Sequence, residues 1–309
     1  MTGKTSLSRH DASMLLVAVI WGANFSANKF GLGHAPPMVF AAARFILASG
    51  LLMLVVSAAR TGPPFSGRTT ALLAGLGVVG NTAYQAFFMY GLNTTTATNA
   101  ALIMAALPTV VAVLGTAFGV ERATPRLWLG IAVATAGVAL VIAARGVAFS
   151  AATIRGDLLI LVAVVCWSAF TVGIRHYGRG LHPLRVAAIT TVGGTPGLIL
   201  LALPELSRTA WAALPLSYWG ALLYSSVFSI VLAYILWSYA VQSIGGSRTA
   251  LYNCIVPLIA AAVAWAVLGE KPVLVQGVGA ALVIAGVLIS QASPVPRSGP
   301  TVSSVVPEP

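Results

Sequence analysis

The chain has 309 residues, 58% of them hydrophobic and 7% charged, and its formal net charge at pH 7 is +11. A soluble globular domain carries about 25% charged residues, so this composition excludes a protein that folds in water and predicts an integral membrane protein. The mean hydropathy of +0.94 points to the same class.

Ten apolar stretches follow one another along the chain, separated mostly by short loops. A helix of about 20 apolar residues crosses the ~30 Å hydrocarbon core of a bilayer, and each stretch is close to that length. The sequence therefore predicts an all-α integral membrane protein with ten transmembrane helices. They are residues 13–32, 37–59, 69–91, 97–119, 126–144, 157–175, 184–203, 216–241, 247–268 and 272–291.

The basic residues are distributed unequally between the loops on the two sides. With the N-terminus inside, eleven of the 17 lysines and arginines lie in cytoplasmic loops and five in external ones. This positive-inside pattern predicts that both termini are cytoplasmic, and it explains the positive charge without a nucleic-acid partner. We interpret residues 1–12 as a cytoplasmic N-terminus. Residues 292–309, rich in proline, serine and valine, are predicted to form a disordered cytoplasmic tail.

The chain is internally duplicated, which is the first pattern to look for in a long sequence. When one half is shifted by 149 positions, Pro108 meets Pro257 and Glu121 meets Glu270, and two glycines after each glutamate also coincide. Acidic residues number only six in the chain, so two of them falling in register by chance is improbable.

The start of each half aligns at a shift of 146, which brings Trp21 onto Trp167. We therefore predict a first repeat over residues 13–144, a linker over 145–156 and a second repeat over 157–291. Each repeat has five helices, and because five is odd, the second enters the membrane from the opposite side. Inverted repeats of this kind are common in secondary transporters, whose substrate site lies between the repeats near the bilayer midplane.

Polar and aromatic side chains at helical spacing mark the predicted inward faces of several helices. In helix 1, Trp21, Asn24 and Asn28 share one face, and this face should point into the protein because polar groups facing lipid are costly. Helices 3, 6, 8 and 9 each add a pair of candidate substrate-binding residues. These pairs are Tyr84 and Gln85, Trp167 and Thr171, Tyr234 and Trp237, and Tyr252 and Asn253.

Helix 2 holds Arg44 about two turns from its start. An arginine within a membrane helix is a functional candidate, but one this near the helix end can also extend to the interface or cap the carbonyls of a neighbouring helix. We interpret Arg44 as a structural charge. Helix 3 contains the pattern GxGxxG at Gly75–Gly80, which resembles a dinucleotide fingerprint. No strand precedes it, so these glycines are expected to let helices pack closely.

Helices 4 and 9 are each interrupted by a proline, Pro108 and Pro257. A proline has no N–H, so the carbonyls of Met104 and Asn253, four residues earlier, lose their helical partners. The resulting kinks are candidate hinges for a moving gate, and static packing kinks are the alternative.

Glutamates follow helices 4 and 9 at Glu121 and Glu270. We interpret both as structural charges that cap the next helix or pair with the neighbouring Arg122 and Lys271, with a role as proton carriers as the alternative.

The order of these motifs resembles the EamA domain, present twice over residues 11–291. Trp21–Phe25 and Ala43–Phe45 resemble its opening, while Pro108–Glu121 and Pro257–Glu270 resemble the closing part of the two copies. The resemblance implies the ten-helix drug/metabolite transporter fold and export of amino acids or other small metabolites. It also implies a central cavity between helices 1, 3, 4, 6, 8 and 9, with helices 5 and 10 outside.

We therefore predict a secondary transporter that exports amino acids or similar small metabolites by alternating access, as a monomer or homodimer. Arginine outnumbers lysine 14 to 3, which favours a GC-rich bacterium and hence the cell inner membrane. No catalytic residue, cofactor or metal site is expected. No acidic residue falls in the middle of a predicted helix, which favours uniport or exchange over proton coupling.

Three other functions stay open at this point. A transporter of nucleotide sugars or other phosphorylated metabolites would need two or more cationic side chains in its cavity, and only Arg44 lies inside a helix. An integral membrane enzyme would need a nucleophile or a metal cluster, and no HExxH or GxSxG pattern occurs. A channel or purely structural protein is the third possibility.

Overall fold

The structure, a computed structural model, describes residues 9–59, 61–95, 100, 103–143, 153–259, 262 and 274–291. The predictions made for Glu270, for the first eight residues, for most of the linker and for the C-terminal tail lie outside these residues. The described part of the chain is helical and contains no strand, in agreement with the all-α prediction.

The helical segments that build the bundle are named α1 to α10 in chain order. They are α1 Arg9–Leu32, α2 Pro37–Ala58, α3 Gly67–Thr94, α4 Leu107–Ala117, α5 Pro125–Ala143, α6 Ile154–Tyr177, α7 Pro183–Leu206, α8 Leu216–Ile244, α9 Gly246–Leu251 and α10 Leu274–Gln291.

Seven of these helices are long and apolar enough to span a bilayer within the described part of the chain: α1, α2, α3, α5, α6, α7 and α8. Two shorter apolar helices are Leu107–Ala117 and Leu274–Ser290. Large apolar side chains stand on the outer surface, including Leu54 and Leu200, which are 66% and 65% exposed. In water such a surface would be unstable, whereas lipid tails cover it, so the chain is an all-α, multi-pass membrane protein.

Two helices change their winding near their middle. Residues Val78–Ala83 of α3 and Ser225–Leu232 of α8 form π-helical turns, with ordinary α-helix on either side. A π-helical turn accommodates an extra residue and reorients the side chains around it, and such turns are frequent at functional sites. The sequence analysis did not predict either segment.

The two prolines lie at helix starts instead of inside continuous helices. Pro108 is in the first turn of α4, after a turn in which the Ala106 N–H donates to the Ile103 carbonyl at 3.0 Å. Pro257 follows a 3₁₀ turn at Tyr252–Ile255. Proline is tolerated in a first helical turn because the N–H that it lacks has no helical partner there. The predicted kinks are therefore breaks that precede the prolines.

The helices pack in a crossed pattern between the two halves of the sequence. Helix α1 packs on α8, α3 on α6 and α7, α2 on α7 and α8, α4 on α6 and α9, and α5 on α10. The main hydrophobic core lies between α1, α2, α3, α6, α7 and α8. The polar and aromatic faces of these helices therefore meet in the centre of the protein.

Helices α5 and α10 form a separate pair, joined by the repeated glycines. A Cβ added to Gly130 or Gly137 would lie 2.6 Å from the carbonyl oxygen of Gly286 or Gly279, so only glycine permits this approach. The outer sides of the pair are apolar; Leu129, for example, is 54% exposed. The pair packs apart from the main core, as expected, but Val141 and Ile142 of α5 line a central cavity, so the expectation that helix 5 lies wholly outside it is wrong.

Helices α3 and α7 approach even more closely. A Cβ added to Gly77 would lie 2.0 Å from the carbonyl oxygen of Thr190. Next to it, the Asn81 side-chain amide donates to that same carbonyl at 2.8 Å, and the Thr82 hydroxyl donates to the Gly194 carbonyl at 2.6 Å. Two glycines of the helix 3 pattern, Gly77 and Gly80, thus serve helix packing as expected, whereas a Cβ at Gly75 would meet nothing within 4 Å.

Candidate functional site

A cavity of about 250 Å³ lies in the centre of the helix bundle. Its walls come from α1, α2, α3, α5, α6, α8, the segment before and at the start of α4, and the segment after α9. Eight of the candidate binding residues from the sequence line it, which are Trp21, Asn24, Asn28, Tyr84, Gln85, Trp167, Tyr234 and Asn253. The structure therefore brings the polar faces of five helices to one place.

Helix α1 presents its predicted face to the cavity and is fixed to α8 by hydrogen bonds. The Trp21 indole N–H donates to the Ser229 carbonyl at 3.0 Å, and the Ser225 hydroxyl donates to the Asn24 Oδ1 at 2.6 Å. Both serines belong to the π-helical segment of α8. The altered winding of α8 thus supplies partners for the polar side chains of α1.

Helix α3 uses its own π-helical segment in a related way. Tyr84 and Gln85 follow directly after this segment, and both line the cavity. The preceding Gly80 leaves no room for a side chain, because a Cβ there would lie 2.2 Å from the Phe170 ring. The glycine lets α3 approach α6 and brings Tyr84 close to Trp167.

Aromatic rings form one continuous wall of the cavity, with Trp167 at its centre. The Trp167 ring centroid lies 4.9 Å from that of Tyr84, 5.4 Å from Tyr234, 5.7 Å from Trp237 and 5.8 Å from Trp21. Rings at these separations attract one another and are held rigidly. They offer both apolar surface and π faces to a bound molecule.

Arg44 adds a cationic group to the lining of the cavity. Its guanidinium donates hydrogen bonds to the side-chain oxygens of Asn28 and, at 3.4 Å, of Gln85. The residue is only 2% exposed, and its charge lies 5.2 Å from the centre of the Phe40 ring. The side chain therefore turns inward, and it neither extends to the membrane surface nor caps a helix through any contact that the structure describes.

Three candidate binding residues lie outside the cavity walls. Thr171 is buried and donates back to the Trp167 carbonyl at 2.9 Å. Trp237 packs behind Trp21, with ring centroids 5.2 Å apart. The Tyr252 hydroxyl donates to the Asp11 carboxylate. Thr171 and Trp237 support residues that line the cavity, and Tyr252 ties α9 to the first turn of α1.

Twelve further residues line the cavity. Arg44 was a structural candidate, and Met104 and Pro257 were noted for the helix breaks. The others, Phe25, Phe88, Ala105, Leu107, Val141, Ile142, Ser229, Ile230 and Val256, were not predicted. Most are apolar, and an apolar residue in a membrane helix carries no signal that separates a cavity wall from a lipid-facing surface.

Asn253 places an unused hydrogen-bonding group at the cavity. Its Nδ2 is buried and has no partner among the described residues. Asn253 belongs to the 3₁₀ turn after α9, just before Pro257. A buried amide donor that lacks a partner is costly, so this group is available for a polar atom of a bound molecule.

Glu121 closes one end of the bundle. Its carboxylate accepts hydrogen bonds from the backbone N–H of Gly246 and, at 3.1 Å, of Ser247, and from the Ser247 hydroxyl at 2.7 Å. Arg175 lies alongside, with its Nε 3.6 Å from the carboxylate. Glu121 thus caps the N-terminus of α9, a different helix from the one expected, and it pairs with Arg175 and not with its neighbour in sequence.

Among the described residues, no group of three or more His, Cys, Asp or Glu side chains could hold a metal ion. The cavity offers amide, guanidinium, hydroxyl and aromatic groups instead. Such groups can hold a small organic molecule by hydrogen bonds and ring contacts.

Comparison with known proteins assigns the chain to a family. The sequence model of the EamA-like transporter family matches residues 9–143 and again residues 154–291. The chain belongs to the EamA-like transporter family. The two matches cover nearly all of the described helices and correspond to the internal duplication.

Individual relatives of this EamA protein are named as transporters. It is 32% identical to the uncharacterized transporter YyaM of Bacillus subtilis, over 89% of this chain and 91% of the relative. It is 28% identical to a probable terminal-alkyne amino-acid exporter of Streptantibioticus cattleyicolor, over 92% and 93% of the two chains. It is also 28% identical to a probable amino-acid metabolite efflux pump of Salmonella typhimurium, over 92% and 95%.

A solved crystal structure has the same fold. It superposes with a TM-score of 0.75 at 17% sequence identity, and the match covers 92% of this chain and 98% of the other. Family and relatives both indicate a membrane transporter and not an enzyme.

Proposed function

We propose that this EamA protein is a secondary transporter that exports amino acids or similar small metabolites by alternating access. The observation that carries the proposal is the central cavity, which is lined by amide and guanidinium groups together with aromatic rings. Ligand sites are mostly apolar clefts with a few convergent polar groups, as here. The names of two relatives, an amino-acid exporter and an amino-acid metabolite efflux pump, support this substrate class.

The size of the cavity also favours a small substrate. Ligand pockets commonly measure about 300–1,000 Å³, and this cavity of about 250 Å³ lies just below that range. A nucleotide sugar would fill a much larger space and would need several cations for its phosphates. Arg44 is the one lysine or arginine among the described residues that line the cavity. The alternative of a phosphorylated substrate is therefore less well supported.

We propose that the transporter has ten spans in two inverted repeats, with both termini cytoplasmic in a bacterial inner membrane, as a monomer or homodimer. The packing pattern supports the repeats. Two equivalent repeats should make equivalent contacts when each helix is replaced by its counterpart five places along the chain. The α1–α8 contact then corresponds to the α6–α3 contact, and the α2–α7, α4–α9 and α5–α10 contacts correspond to themselves. The π-helical segments occupy the same place in both halves, in α3 and in α8.

Contacts at one end of the bundle support a gate. Glu121 joins α4 to α9, Tyr252 joins α9 to α1 through Asp11, and Arg175 of α6 donates to the carbonyls of Val241 and, close by, Gln242 in α8. Under the proposed topology this is the cytoplasmic end. Alternating access requires these contacts to break when the cavity opens to the cytoplasm, with the helix breaks before Pro108 and Pro257 as hinges.

Replacing Asn253 with alanine should abolish transport without affecting folding. The change removes the amide that faces the cavity, and the donor has no partner in the described protein, so little stability is lost. Transport of radiolabelled amino acids by reconstituted proteoliposomes measures the effect, with size-exclusion chromatography as the test of folding. Asn93, which is exposed at the end of α3, provides the matched Asn→Ala control. Wild-type transport by Asn253→Ala would remove this residue from the site.

Transport should proceed by uniport or exchange without a fixed number of protons. Proton carriers in membrane proteins are usually Asp, Glu or His, and none of these occurs among the described residues that line the cavity. Counter-transport in proteoliposomes that contain a pH-sensitive dye measures the coupling. A strict proton-to-substrate stoichiometry would contradict this prediction.

A further inference from the structure

Building on the proposed function, we propose that Arg44 binds the carboxylate of the substrate. The site then selects solutes that carry one carboxylate near an aromatic or large apolar group, and it does not require an ammonium group. The sequence analysis treated Arg44 as a structural charge. Three observations on the structure assign it this second role: its position, its uncompensated charge and the aromatic rings that line the same cavity.

The position of Arg44 is that of a binding group. The residue lines the cavity and is 2% exposed. Asn28 and Gln85 accept hydrogen bonds from its two terminal nitrogens through their side-chain oxygens and so fix the plane of the guanidinium. The Nε is buried and has no partner among the described residues. A guanidinium has five N–H donors, so the donors that Asn28 and Gln85 leave unused can bind a carboxylate.

The charge of Arg44 is not balanced by any acidic side chain that the structure describes. Asp11 bonds to Tyr252, Glu121 caps α9, Asp157 accepts from Thr95 and Glu205 lies in the last turn of α7, while the described ion pairs do not include Arg44. Its two hydrogen-bond partners are neutral amides. A buried cation without a counter-charge is unfavourable, so an anion that enters the cavity gains a large part of its binding energy there.

The aromatic lining of the cavity determines the rest of the solute. Trp21, Tyr84, Trp167 and Tyr234 present rings to the same cavity, and these rings favour an aromatic or large apolar group. No described acidic residue lines the cavity, so an ammonium group would meet neutral amide oxygens and π faces but no opposite charge. The carboxylate is therefore the charged group that the site recognises.

The presence of a single cation in the site also favours binding of a carboxylate over binding of a phosphate. In the second repeat, the position equivalent to Arg44 is Thr190, which is buried and donates to backbone carbonyls of its own helix. The site thus has one guanidinium, which matches the single charge of a carboxylate. A phosphoryl dianion is usually bound by more than one cationic group.

Four related probes test the proposal on purified, full-length protein. L-phenylalanine and 3-phenylpropionate keep the carboxylate, whereas L-phenylalaninamide and phenethylamine lack it. Calorimetric titration should show that both acids bind and that the amide and the amine bind at least about tenfold more weakly. Arg44→Gln should weaken both acids by about tenfold to a hundredfold, the range for losing a charged hydrogen bond. Arg208→Gln, at an exposed site after α7, is the control for charge loss and should leave binding unchanged.

The proposal is overturned if neither acid binds, if the amide binds as tightly as phenylalanine, or if Arg44→Gln keeps the wild-type affinity for both acids. If Arg44→Gln does not fold, the comparison of acid and amide on the wild-type protein decides alone. Transport assays in proteoliposomes distinguish failure of the proposed function from failure of the role proposed for Arg44. Binding of the acids without transport contradicts the proposed function, whereas transport with no preference for acid over amide contradicts only the role of Arg44.

Discussion

Replacing Gly77 with alanine should prevent α3 from packing on α7 and leave little folded protein. The new methyl group would lie 2.0 Å from the carbonyl oxygen of Thr190 and 2.8 Å from its carbonyl carbon. Both are backbone atoms inside a helix, so neither can rotate away. Overpacking usually costs about 1–3 kcal/mol and occasionally more, and a fixed backbone obstacle belongs at the upper end. Separating the helices would also break the bond from Asn81 to the same carbonyl.

The matched control for this change is Gly75→Ala, two residues earlier in the same helix. A Cβ at Gly75 has no heavy atom within 4 Å, apart from its own helix backbone and chain neighbours. Alanine favours a helix over glycine by about 1 kcal/mol, so Gly75→Ala should be neutral or slightly stabilising. Thermal unfolding in detergent and the yield of monodisperse protein measure both variants. Equal melting temperatures for Gly77→Ala and the wild type would show that α3 and α7 are not packed this closely.

Replacing Glu121 with glutamine should loosen the start of α9 and destabilise the protein by about 2–3 kcal/mol. The carboxylate accepts three hydrogen bonds from Gly246 and Ser247, and Arg175 contributes the attraction of an ion pair. Glutamine keeps the shape but loses the charge, and one of its two acceptor positions becomes an N–H₂ donor that faces other donors. Under the proposed transport cycle, the cytoplasmic end should then open more readily.

Hydrogen–deuterium exchange localises this effect. Amides of residues 246–251 should exchange faster in Glu121→Gln, and the melting temperature should fall. Glu205→Gln is the matched control, because the Oε2 of Glu205 is buried without a hydrogen-bond partner among the described residues. That variant should change stability by less than about 1 kcal/mol, since no described hydrogen bond to this oxygen is lost. Similar exchange in the two variants would mean that Glu121 does not hold the start of α9.

The sequence was most informative where polar residues interrupt an apolar helix. Trp21, Asn24 and Asn28 are spaced to share one face, and hydrocarbon excludes polar groups, so their inward direction follows from spacing alone. The same rule found Tyr84, Gln85 and Tyr234. It could not separate a cavity wall from the layer behind it, and for this reason Trp237 and Thr171 were grouped with residues that face the cavity.

The sequence was least informative about which residues on other helices each charged side chain would contact. Glu121 caps α9, which begins 125 residues further along the chain, and no local pattern identifies such a partner. Arg44 posed the same problem. An arginine near a helix start can extend outward or turn inward, and only the positions of Asn28 and Gln85 on two other helices decide between these directions. The π-helical segments of α3 and α8 also left no recognised signal in the sequence.

By itself, the sequence determined that this is an all-α membrane protein, because its composition leaves too few charges to cover a surface in water. It also indicated the EamA family through its two ordered sets of motifs. Tertiary structure alone decided that Arg44 lines the same cavity as the aromatic rings and that Glu121 joins α4 to α9. Hydropathy and spacing act within one helix, whereas a binding site is made where several helices meet, and their relative positions depend on contacts between residues far apart in the chain.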